Sequence, residues 1–119
     1  MSARRRGVLG VDSSTQSCTV VLRDLDSGQV LHTARAPHPP TTPPVSEQDP
    51  RAWWDALCAS RAGWGSDVTV AALAVDGQGH GLVLLDEADR PLRPAKLWND
   101  TTSTDQARRL VARLGRQTW

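Results

Sequence analysis

The chain has 119 residues, 39% of them hydrophobic and 23% charged, which is the composition of one globular domain. A formal net charge of +1 gives no electrostatic ground for nucleic acid or an anionic membrane, and no run approaches the ~18 apolar residues of a membrane span. Phe and Tyr are absent, so a core has to be built from Val, Leu, Ala and Trp. Cys18 and Cys58 lack the spacing of a metal site and read as reduced and structural. Gly7 and Asp12 bracket too short an apolar stretch for a signal peptide, which points to a cytoplasmic protein. Arg4-Arg5-Arg6 reads as a frayed terminus rather than a binding arm.

Gly7 to Val11 is a predicted strand that leads into Asp12-Ser13-Ser14-Thr15-Gln16-Ser17. Cys18 to Leu22 is a second strand, Asp24 to Gly28 a turn, and Gln29 to Ala34 a third strand, so the chain opens as a meander. A loop of hydroxyls behind a carboxylate can offer O–H and N–H donors to a phosphate, with Asp12 reaching a hydrated Mg²⁺. Ser, Thr and Asp are equally ordinary hairpin residues. Pro37 to Pro44 can be neither helix nor central strand and reads as an extended surface connection. Asp49 as N-cap and Pro50 at the first helical position start a helix that carries Trp53, Trp54, Leu57, Cys58 and Arg61 and stops at Gly63. The paired tryptophans read as packing.

Val68 to Val75 is long enough for one buried strand. It breaks into Asp76-Gly77-Gln78-Gly79-His80-Gly81, where glycines allow a sharp turn and close approach of a ligand. Gln78 and His80 are its long polar side chains, each able to donate and accept. A second apolar run, Leu82 to Leu85, precedes a hairpin loop at Asp86 to Pro91, and a third short run ends in Trp98-Asn99-Asp100. Two polar clusters thus fall at strand ends, where α/β proteins hold ligands. From near Ser103, Ala107, Leu110, Val111 and Leu114 share one helical face, and Gly115 is the stop. The chain ends at Trp119 with no closing element.

The succession GVDSSTQS, EQDPRAWWDAL, VDGQGHGLVLLD and LRPAKLWND resembles the N-terminal region of xylulose kinases in the FGGY carbohydrate kinase family, over Val8 to Leu114. The resemblance implies an α/β chain of the ribonuclease H-like, actin-like ATPase fold: a three-stranded meander, then a helix and a parallel strand. It implies ATP-dependent phosphorylation of D-xylulose to D-xylulose 5-phosphate, with ATP and Mg²⁺ as cofactors. Sugar and ATP would be the partners, with no nucleic acid or membrane, and a homodimer for the full-length family. Asp12 would position Mg²⁺-ATP, and Ser13, Ser14, Thr15 and Gln16 would form the first phosphate loop. Gln78, Gly79 and His80 would make the sugar-binding turn, and Trp98, Asn99 and Asp100 would shape the sugar site.

Three positions depart from the family's pattern: Thr19 for a Lys, Gly79 for Met or Gln, and Asp76 for a small neutral residue. Family chains are several times longer, so residues 1–119 read as the front of the first domain. The general-base aspartate and the second domain lie beyond, and the piece alone is expected to be inactive. Two other classes stand beside this reading. One is a non-catalytic sugar- or partner-binding product of a truncated gene. The other is a ribonuclease H-like nuclease with Asp12 and Asp76 on two metals, which the near-neutral charge argues against.

Overall fold

A computed structural model describes residues 4–115. The expectation about Trp119 lies outside the described residues. The predicted meander is present as β1 (Arg5–Ser13), β2 (Ser17–Asp24) and β3 (Val30–Pro37), the first two longer at both ends than their apolar runs and the third longer at its C-terminal end. The β2–β3 turn is closed by the Asp24 carboxylate, which accepts from the N–H of Ser27 at 2.8 Å and of Asp26 at 3.1 Å. Gly28 takes a φ of 72°, the left-handed conformation in which a Cβ is unfavourable. β5 (Val68–Gly77) lies parallel to β1, which gives the sheet order β3-β2-β1-β5. Arg5 and Arg6 pair with Val68 and Thr69 in that ladder, so the basic start is strand and not a frayed end.

The helix α1 (Pro50–Arg61) starts where the sequence signals it. The Asp49 carboxylate accepts from the Arg51 N–H at 3.0 Å, satisfying one of the donors a helix start leaves open. Period-2 alternation puts Leu9, Val11, Cys18, Val20, Leu22 and Ala36 on the sheet face that meets Ala56 of α1, and these residues form the core. Ser60 is also buried there and donates its hydroxyl to the Ala56 carbonyl. Burial raises the Cys18 thiol above its ordinary pKa. Cys58 is exposed, so only one of the two cysteines is structural. Trp54 is 67% exposed, whereas Trp53 is half-buried and donates its indole N–H to Gln48, so the pair does not pack as a unit.

The opposite sheet face is open among the described residues. Val8, Gly10, Val21, Arg23, Ala72, Leu73 and Ala74 line a shallow groove of about 400 Å³ there. Val68 to Val75 is a strand, but not the buried one its composition suggests: Leu73 and Val75, which share the face of their partners Leu9 and Val11, are 54% and 63% exposed. Leu82 to Leu85 forms no strand and makes only one bridge, Leu85 to Pro91, across the expected turn at Asp86 to Arg90. The third run contributes β6 (Ala95–Lys96), paired with β4 (Glu47–Gln48) and tied by Arg93–Glu47 and Lys96–Glu47 ion pairs. The helix α2 (Thr104–Leu114) forms and stops at Gly115, with no residue buried.

Candidate active site

The parallel pairing of β1 with β5 brings two loops side by side. Asp12 stands opposite Asp76 in the β1–β5 ladder and opposite Thr19 in the β1–β2 ladder, and Thr19 stands opposite Arg35 in the β2–β3 ladder. Directly paired residues share a face. The row Asp76, Asp12, Thr19, Arg35 therefore crosses the sheet on the side away from α1, at the strand ends where the hydroxyl loop turns.

That loop is held by its carbonyls. Ser17 O accepts from Ser14 N–H at 3.0 Å, Ser13 O from Gln78 N–H at 3.1 Å, and Gln16 O from His38 N–H at 2.8 Å. Thr15 O accepts from the Gln48 amide at 3.0 Å. The N–H groups of Thr15 and Gln16 have no partner among the described residues. Hydroxyls are engaged too: Ser14 donates to Asp12, and Ser13 lies 3.3 Å from Nε2 of His38. His38 is buried, and desolvation lowers its pKa below the ordinary imidazole value. A groove of about 490 Å³ opens over the loop, lined by Asp12, Ser14, Thr15, Gln16, Thr19 and Arg35, with Trp98 and Asn99 at its edge.

Thr15 joins this loop to the second cluster. Its hydroxyl donates to Gln78 Oε1 at 3.2 Å and accepts from the Trp98 indole N–H at 2.9 Å. Gln78, Gly79 and His80 face a second groove of about 430 Å³, which Asp12, Thr15, Asp76 and Trp98 also line. The turn is not made by its glycines adopting left-handed backbone, for His80 itself has φ 61°. His tolerates that region better than most residues, at a cost of about 1–2 kcal/mol. A strained residue at a candidate site is a pointer to use.

Trp98, Asn99 and Asp100 do not act as one group. Trp98 is exposed at the groove edge. The Asn99 carbonyl oxygen accepts from the Ser46 hydroxyl at 2.7 Å. The Asp100 carboxylate is taken by the Thr102 hydroxyl, the Ser46 N–H at 2.8 Å, the Thr102 N–H at 3.0 Å and the Lys96 ammonium at 3.3 Å. Those bonds, the Thr102 hydroxyl first, hold its pKa well below the usual carboxylate range. A depressed carboxylate contributes stability that is present above the unfolded pKa of about 3.9 and is lost as pH falls below it. Asp100→Asn is therefore expected to flatten the acid limb of a stability-versus-pH curve; an unchanged limb would remove Asp100 from the acid response.

Arg35 and Ser46 carry no motif and escape sequence reading, and Gln48, though it lies in the EQDPRAWWDAL stretch, has no role that the stretch itself reveals. Gln48 is buried, and its amide donates to Thr15 O at 3.0 Å and to Pro39 O at 2.7 Å while its carbonyl accepts from Trp53 at 2.8 Å. One side chain thus ties the hydroxyl loop, the proline-rich connection and α1 together. Gln48→Leu leaves those three groups unpaired and is expected to cost about 2–4 kcal/mol in urea unfolding. A loss under about 1 kcal/mol would mean that water replaces the amide.

Residues 7–118 match the model of the N-terminal domain of the FGGY family of carbohydrate kinases. A xylulose kinase of Streptomyces rubiginosus is 46% identical over 109 residues, 91% of this chain and 23% of that protein. A xylulose kinase sequence from Arthrobacter is 50% identical over 96 residues, 81% of this chain and 96% of that sequence. The crystal structure of xylulose kinase from Bifidobacterium adolescentis superposes with a TM-score of 0.78 at 43% identity, covering 95% of this chain and 22% of that one. The chain thus spans about a quarter of the length of the Streptomyces and Bifidobacterium enzymes. The expected actin-like ATPase fold is the one these matches share. With the family model matched over residues 7–118 and a relative 50% identical across 96% of its length, the chain belongs to the FGGY family of carbohydrate kinases.

Proposed function

We propose that this chain supplies the phosphate loop and part of the sugar wall of an ATP-dependent kinase that converts D-xylulose to D-xylulose 5-phosphate. The observation that carries the reading is the loop's polarity. Its carbonyls at Ser13, Thr15, Gln16 and Ser17 are turned to protein partners, while the N–H groups of Thr15 and Gln16, residues that line the groove, have no partner among the described residues. Such a loop receives an anion. The relatives' names indicate which anion and which sugar.

Phosphoryl transfer is mostly positioning and charge stabilisation. Ser13, Ser14, Thr15 and Gln16 grip the phosphates. Gln78 and His80 hydrogen-bond the sugar hydroxyls in the adjoining groove, with Gly79 leaving room and Trp98 closing the edge, while Asn99 lines the phosphate groove beside it. Asp100 acts through Ser46 and Thr102, fixing the Trp98–Asn99 turn. The ligand atoms that Asp76, Asp12 and Thr19 offer are all oxygen, which suits a hard cation. No group of three or more His, Cys, Asp and Glu forms among the described residues. That fits Mg²⁺, which keeps waters and takes one or two carboxylates plus phosphate oxygens. Asp12 would hold it, with Asp76 alongside, and bound Mg²⁺ neutralises phosphate charge. The reading carries with it a cytoplasmic, homodimeric whole enzyme.

The test is a chimera in which residues 7–118 replace the matching segment of the Streptomyces rubiginosus xylulose kinase. D-Xylulose-dependent ADP release supports the reading; a folded chimera without it refutes the reading. Within the chimera, His80→Gly separates strain from recognition. Relief of left-handed backbone should raise stability by about 1 kcal/mol. Loss of the imidazole should raise the D-xylulose KM about 10-fold, the equivalent of one buried hydrogen bond. An unchanged KM would show that His80 is only a turn residue.

A further inference from the structure

We propose that Arg35, on β3, is a phosphate-binding residue that clamps the nucleotide's terminal phosphates from the far side of the hydroxyl loop. The inference rests on the kinase reading and names a contact which that reading does not include. Arg35 is the one basic side chain among the residues lining the 490 Å³ groove, where it faces Asp12, Ser14, Thr15 and Thr19. Its place follows from register: it lies directly across from Thr19, which lies across from Asp12. The short Thr19 side chain between them leaves the row open.

Arg35 is also pre-positioned. Its Nε donates to the Ser17 hydroxyl at 2.7 Å, and Ser17 is buried at the loop's end, so the guanidinium is anchored to the loop it would serve. Among the described residues it has no carboxylate partner, unlike Arg51, Arg90, Arg93 and Arg108. Among the described residues its Nη N–H groups have no hydrogen-bond partner, and Arg35 is exposed where it lines the groove. A guanidinium held at Nε presents a planar fork that matches two phosphate oxygens, and holding it beforehand reduces the ordering cost of binding. Asp76 and Asp12 toward one end of the row and Arg35 at the other give the row a charge gradient. A divalent cation suits the carboxylate end and phosphate oxygens suit the guanidinium end.

The experiment titrates the ¹⁵N-labelled 119-residue chain with inorganic tripolyphosphate, with and without Mg²⁺, and separately with a pentulose 5-phosphate. NMR follows the Arg35 Nε–H and the amides of residues 13–17. The expected result is that tripolyphosphate shifts both sets. Arg35→Gln should weaken it about 10-fold, and Arg35→Lys, which keeps charge but not the fork, should fall between. Circular dichroism and the amide spectrum of each variant report folding. Loop amides that shift with an affinity indifferent to Arg35→Gln would overturn the role of Arg35 and leave the kinase reading standing. Tighter binding of the pentulose phosphate than of tripolyphosphate at Arg35 would overturn its assignment to the nucleotide. No response anywhere in residues 13–17 would overturn both.

Discussion

Asp12→Asn in the chimeric kinase is expected to lower kcat/KM for ATP by about 10²–10³-fold, the usual cost of removing one preorganised electrostatic group from an active site. Asn keeps the shape of Asp12 and an oxygen that still accepts from the Ser14 hydroxyl, so the loop should hold. What disappears is the negative charge at the centre of the row, between Asp76 and Thr19. If that charge holds Mg²⁺, the loss falls on kcat and the requirement for Mg²⁺ rises. A fall below about 5-fold would return Asp12 to the ordinary hairpin role that its residue type also permits.

Thr15→Val is expected to lower kcat/KM about 10–100-fold and to raise KM for ATP and D-xylulose together. Val matches the shape of Thr and lacks the hydroxyl. That hydroxyl bonds both the Gln78 side chain and the Trp98 indole to the hydroxyl loop. Removing it releases the Gln78 side chain and the indole together, and each can turn toward water in the open groove. The cost to folding is therefore small, while the cost to positioning is large, because small misplacements of reacting groups are expensive. A double-mutant cycle with Gln78→Leu should give a coupling of about 0.5–3 kcal/mol in kcat/KM. A rise in the KM of one substrate alone, or additive effects, would show that the two grooves work separately.

Much of this was legible in the chain itself, and the reason is locality. The apolar runs Gly7 to Val11 and Cys18 to Leu22, each bounded by turn residues, mark the meander because strand and turn signals both lie within a few residues. Asp49-Pro50 marks the start of α1 because capping chemistry lies within three residues. The hydroxyl loop and the Gln78–His80 turn are recognisable for the same reason, since their polar groups sit together in sequence. Tertiary structure alone decided the rest. Leu82 to Leu85 has the composition of a strand, but a strand needs a neighbour to accept its hydrogen bonds, and composition does not supply one. Trp54 is apolar and exposed because the sheet offers α1 one face, filled at Ala56. Gln48 sits in a quoted motif, yet its role is not legible there, because its three bonds join Thr15, Pro39 and Trp53, groups far apart in sequence. The row Asp76, Asp12, Thr19, Arg35 joins four residues from four strands, and its members meet only because each ladder fixes its register. A slip of one residue in any ladder would turn that strand's member of the row to the other face.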